Sequence, residues 1–159
     1  MTDEINREFV SFKVVHLDSN GNIKQELQTD PMLNDLVVNT GLALRAALLG
    51  NVSTPTALNA IAVGTGTTTP AATQTALVTE VARVASTNTQ ITTSVTNDTL
   101  QMTGTISFTA SYTITEVGTF NSTTASSGTM YSRDLLPGSG ISVVSGDSLG
   151  FTFQFQQTS

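Results

Sequence analysis

From Arg83 onward the chain repeats one pattern: a short run of β-branched and aromatic residues, closed off by Gly, Asn, Asp, Ser or Pro. Residues 90–95, 99–110, 114–120, 128–133, 141–144 and 148–155 each read as a strand. Short strands at near-regular spacing point to antiparallel sheets packed face to face. In the last run Phe151, Phe153 and Phe155 alternate with Thr152, Gln154 and Gln156, so one face is apolar and the other polar. Threonine fills 29 of 159 positions, whereas charged residues make up 11% of the chain against about 25% in an ordinary domain. A β-branched hydroxyl residue suits a half-buried pleated surface.

The N-terminal part adds a hairpin and a helix. FVSFKVVHL (9–17) and IKQEL (23–27) flank Asp18-Ser19-Asn20-Gly21-Asn22, and Asn-Gly between apolar runs is a hairpin signal. The loop reads as a turn and not a calcium site, because Gly21 comes two positions too early for an EF-hand and Thr29 stands where its bidentate Glu belongs. Over residues 39–49 the spacing predicts a helix capped by Asn39 or Thr40, carrying Leu42, Leu44, Ala46, Leu48 and Leu49, and ended by Gly50. Its apolar residues nearly encircle it, with Arg45 as the polar break. Such a helix plugs one end of a sandwich, or takes a neighbouring subunit on its outer side. Residues 58–63 predict a short strand running into a Gly/Thr-rich loop, and 73–81 read equally as a helical turn or a strand. The expected fold is mostly β: an antiparallel β-sandwich or jelly-roll-like single domain over residues 9–159 with one short α-helix, preceded by an N-terminal arm of residues 1–8. A chain this long buries roughly 70% of its unfolded surface. Without cysteine, burial and backbone hydrogen bonding must hold it.

Several chemistries are disfavoured. A net charge of −6 with scattered cations (Arg7, Lys13, Lys24, Arg45, Arg83, Arg133) argues against nucleic acid as a partner. No membrane span is expected, since the longest apolar stretch, 41–49, is short and broken by Arg45. The start MTDEINREF has no apolar signal core, so synthesis inside a cell is expected. The single histidine, His16, lies in a strand without a nucleophile signature and is expected on the surface or a sheet face. Gly64-Thr65-Gly66 lacks the third glycine of a dinucleotide fingerprint, so no cofactor is expected, and with one histidine and no cysteine a zinc centre of the usual kinds would need an unusual ligand set, so no metal is expected. Glu116, within ITEVGTF, is an acid that needs a partner such as Arg83 or Arg133 if it faces inward. Sugar cleavage by paired carboxylates fits poorly, with no tryptophan and two tyrosines, Tyr112 and Tyr131, as platforms. Glu80, Arg83, Glu116 and Arg133 are therefore read as structural ion pairs fixing loop to sheet, with no catalytic residue. Gly64, Gly66 and Gly118 mark positive φ or close backbone approach.

Blocks of this chain, taken in order, carry a likeness. They are VVNTGLA (37–43), AVGTGTTTPAATQTALVTEVAR (62–83), ITEVGTFN (114–121), GTMYSR (128–133) and SGDSLGFTFQF (145–155). Together they resemble small tailed-phage virion proteins described as capsid decoration, tail or fibre components, over nearly the whole chain. The resemblance implies a non-enzymatic structural subunit, first of all a capsid decoration or cement protein bound to the major capsid protein and other virion subunits. A tail or tail-fibre component involved in host attachment is the alternative. It also implies a β-sandwich that forms a homo-oligomer, a trimer in preference, located in the virion and assembled in the host cytoplasm.

Overall fold

The two-sided pattern of the last run becomes the spine of the molecule. The computed structural model describes residues 8–29 and 36–157, and the elements, in chain order, are β1 (Glu8–Leu17), β2 (Ile23–Gln28), β3 (Leu36–Val37), α1 (Asn39–Gly50), β4 (Ala60–Gly64), β5 (Glu80–Ala85), β6 (Thr87–Ile91), β7 (Thr99–Ser107), β8 (Tyr112–Ile114), β9 (Glu116–Phe120), β10 (Met130–Leu135), β11 (Ile141–Val143) and β12 (Ser148–Gln157). Strand β12 lies at the middle of a five-stranded antiparallel sheet ordered β2-β1-β12-β7-β6. Its register stacks Phe12, Phe153 and Met102 in one inward row and Val10, Phe155 and Leu100 in the next. The phenylalanines pack on one another, Phe12 and Phe153 having ring centroids 5.2 Å apart.

A second antiparallel sheet, β3-β10-β9-β4-β5, covers that apolar face with Ile61, Val63, Val117 and Tyr131. The fold is thus a mostly β, single-domain sandwich. The chain passes between the sheets at Ser86, from the edge strand β5 to the edge strand β6. Gly104 lets the sheets close there: a Cβ on it would stand 3.0 Å from Val84 Cγ1 and 3.4 Å from Ile61 Cδ1. A two-stranded ribbon, β8 with β11, seals one end of the core with Ile114, Ile141 and Val143. Helix α1 stands at the other end and turns Gly41 and Leu44 inward. Of the expected N-terminal arm, residues 1–7 lie outside the described residues and Glu8 already belongs to β1.

Several local expectations are corrected. The helix N-cap is Val38, without a side-chain cap; Thr40 is turned away to donate to the Met130 carbonyl instead. Gly50 is the last helical residue, and Asn51 takes the left-handed C-cap conformation at φ 48°. Residues 114–120 split at Thr115, with β8 joining the ribbon and β9 the second sheet. The strand expected at 90–95 ends at Ile91, because Asp98 folds 92–98 into a turn by accepting from the amides of Thr93, Ser94 and Val95. No helix forms over 73–81; the strand begins at Glu80.

Helix α1 sits close on β10 because Gly41 lies against the Tyr131 main chain, with no room for a Cβ. Gly41→Ala must lift the helix off the sandwich end, and urea unfolding is expected to show a loss of about 1–3 kcal/mol.

Candidate functional site

The outward face of the second sheet holds the four charges that the sequence singles out. Pairing across β5, β4, β9 and β10 sets Arg83, Ala62, Gly118 and Arg133 in one row and Glu80, Gly64, Glu116 and Leu135 in the next. Strict alternation would place Glu80 and Arg83 on opposite faces. A bulge in β5 opposite Val63 and Gly64 adds one residue and brings both outward. The small residues between the arginines leave a trough, and Leu77 of the 65–79 segment fills it over Gly118.

Glu116 and Arg133 are fully buried and paired, with Arg133 Nε donating to Glu116 Oε2 at 2.9 Å. Neither group ends its bonding there. Glu116 Oε1 accepts from the amides of Gly66 (3.0 Å) and Thr79 (2.8 Å), and Oε2 accepts from Val78 (3.0 Å). Arg133 Nη1 donates to Gln74 Oε1 and Nη2 to the Thr68 carbonyl. The segment between β4 and β5 is therefore held at its start, middle and end by one ion pair. Gly64 and Gly66 make the approach possible, since a Cβ on either would run into the Glu116 carboxylate. Close approach, not positive φ, is what these two glycines supply.

Arg83 does the same for a second loop. Its guanidinium is bidentate to Glu80 at 2.8 Å, lies 3.8 Å above the Phe120 ring, and donates to the carbonyls of Ser122 and Ser127. A planar fork with five donors suits this double task, which a lysine cannot reproduce. Arg83 is thus brought to Glu80 and not to Glu116.

Three arrangements were not anticipated in the sequence reading. Of the two places expected for His16, the sheet face holds: it lies buried on the inward side of β1, and its Nε2 is 2.8 Å from Asp147 Oδ2, which Lys24 Nζ also meets at 3.0 Å. The signal was available: His16 shares parity with Val10, Phe12 and Val14, the inward side of β1. The His16 hydrogen bond, with help from the Val144 amide and Lys24 and against desolvation, holds the Asp147 carboxyl down at about 2. Asp98, receiving backbone amides with that of Val95 foremost, lies far below the usual carboxylate range. Near α1, the Tyr131 hydroxyl donates to Glu8, which also pairs with Arg45 at 3.2 Å, while Arg45 reaches Gln157 as well. Burial and the Glu8 carboxylate push the Tyr131 hydroxyl up, so it remains a donor.

Among the described residues no group of three or more His, Cys, Asp or Glu is placed to hold a metal ion. Asp18, on which a calcium loop would depend, instead caps its own turn by accepting from the amides of Asn20 and Asn22. No helix of the described residues is long and apolar enough to cross a membrane. Compared with family models, with curated proteins and with solved structures, the chain gives no match.

Arg133→Met is expected to cost about 3–5 kcal/mol in urea unfolding, because it leaves Glu116 charged and buried. The double variant Glu116→Leu/Arg133→Met should stay about 2 kcal/mol or more below wild type, since the amides of Gly66, Val78 and Thr79 then have no acceptor. Asp147 predicts a pH effect. Its folded value lies below the ordinary 3.8, so its contribution is complete above that pH and fades as pH falls toward about 2. The stability gap between wild type and Asp147→Asn, followed by denaturation from pH 6 to pH 2, is expected to close over that window.

Proposed function

We propose that this chain is a non-enzymatic structural subunit of a tailed-phage virion, a capsid decoration protein that binds the assembled capsid through the major capsid protein. The observation that carries the reading is where the reactive side chains are engaged. His16 is bound to Asp147, Glu116 to Arg133 and three amides, and Asp98 to its own turn. A catalytic acid or base must be able to reach a substrate proton. Here these groups are turned to holding loops against sheets.

Two further features support an assembly role. Three of the five sequence blocks resembling virion proteins, 62–83, 114–121 and 128–133, build the braced face. Loops locked by buried ion pairs give a partner a surface that needs little ordering on contact, which favours binding at many equivalent sites. The acidic charge of the chain supports a protein partner over a nucleic acid.

One observation favours a tail component that contacts the host as the second reading. The 122–127 loop, rich in exposed Thr and Ser, is presented on a rigid base by Arg83. Hydroxyl-bearing loops on a rigid scaffold are adaptable recognition surfaces.

Copy number separates these readings. Quantitative mass spectrometry of purified particles is expected to give this chain at a ratio to the major capsid protein set by the capsid lattice. A handful of copies per particle moves it to the tail, and absence from particles removes the virion reading.

A further inference from the structure

The turn of the β1-β2 hairpin contains Asn20, the one asparagine of the sequence that is followed by glycine. Asn20 and Gly21 are both exposed. The Asn20 side-chain amide has no hydrogen-bond partner among the described residues, whereas Asn22 ties its own to Asp18. Gly21 stands at φ +82° with nothing within 4 Å of where a Cβ would be, so no side chain shields its nitrogen. What restrains that nitrogen is the hydrogen bond it donates to the Asp18 carbonyl at 3.0 Å. The Asp18 carboxylate closes the same turn by accepting from the amides of Asn20 (2.8 Å) and Asn22 (2.9 Å).

We propose that Asn20 is a site of spontaneous deamidation, gated by opening of the turn that Asp18 holds. When the turn opens, solvent base takes the Gly21 amide proton and the nitrogen attacks Asn20 Cγ. The bond from Gly21 N to Cγ forms, the Cγ–Nδ2 bond breaks, and the side-chain nitrogen leaves as ammonia with a proton from water. Water then opens the succinimide at either carbonyl, which leaves aspartate or isoaspartate. Glycine favours the step because a Cβ at this position would crowd the ring as it closes. A turn at an exposed hairpin tip opens without unfolding the sheet behind it. The product places a new carboxylate beside that of Asp18, and the isoaspartate form lengthens the main chain by a methylene group. Ser19 of this turn lies against Gly146, in the turn that carries Asp147, the partner of His16 and Lys24. Conversion at Asn20 therefore loosens the end of the sandwich where the buried histidine is held.

This chemistry is independent of any role in assembly, and its test uses the purified, folded chain. Wild type, Asn20→Ser and Asp18→Ala are to be incubated at neutral and at mildly alkaline pH. Anion exchange follows the charge, and mass spectrometry of the tryptic peptide 14–24, with electron-transfer fragmentation, locates the change and separates isoaspartate from aspartate. Wild type is expected to accumulate a more acidic species, faster at the higher pH, with the change at Asn20 and isoaspartate as the main product. The isolated acidic fraction is expected to melt below the starting material. Asn20→Ser is expected to form no such species, and Asp18→Ala to form it faster than wild type with unchanged far-ultraviolet dichroism. The proposal is overturned by a wild type that stays intact while a synthetic peptide of residues 14–24 converts, by conversion at another asparagine, or by an Asp18→Ala rate no higher than that of wild type. A converted fraction that melts with the starting material overturns the loosening of the histidine end.

Discussion

The buried pair of Glu116 and Arg133 is the interaction on which the outer half of this sandwich depends. Taking two charges out of water costs several kcal/mol each, and their mutual attraction offsets that only when the remaining lone pairs and protons are also satisfied. Both conditions hold here: three amides complete the carboxylate, and Gln74 with the Thr68 carbonyl completes the guanidinium. Because the satisfying groups belong to the segment between β4 and β5, that segment must lie on the sheet whenever the pair is buried. The pair organises a long connection that has almost no regular structure of its own.

This explains features that look unrelated in sequence. Gly64 and Gly66 are small because a carboxylate stands where their side chains would be. Ala62 and Gly118 are small because Leu77 and the two arginines need the space between them. Phe120 is both a wall for the cluster of Val38, Ala60, Ala62, Leu77 and Met130 and a platform for Arg83. The second sheet is accordingly buried on both faces along β4 and β9, which is why those strands lack the in-out alternation so clear in β12.

The same contrast decides how much was legible in the sequence. Where one face meets water, as in β1 and β12, period-two patterning gives the strand and its inward residues directly. The charges at 80, 83, 116 and 133 could be recognised as needing partners, since ionised groups amid neutral residues are costly to bury. Their pairing could not be read, because it rests on a bulge that shifts Glu80 to the face of Arg83 and on pairing between strands far apart in the chain. His16 was legible by parity, but Asp147 lies 131 residues away, in the turn before β12, and nothing local links the two. Asp98 shows the opposite failure. A run of threonine and serine looked like strand, and one carboxylate collecting three amides overrode that propensity.

Native-state hydrogen exchange at the amides of Gly66, Val78 and Thr79 tests the central claim most directly. If the ion pair holds the segment on the sheet, these three exchange as slowly as the paired amides of β4 and β9 and open only with the whole domain. Exchange at the rate of an exposed loop, with β4 and β9 still protected, would contradict the account.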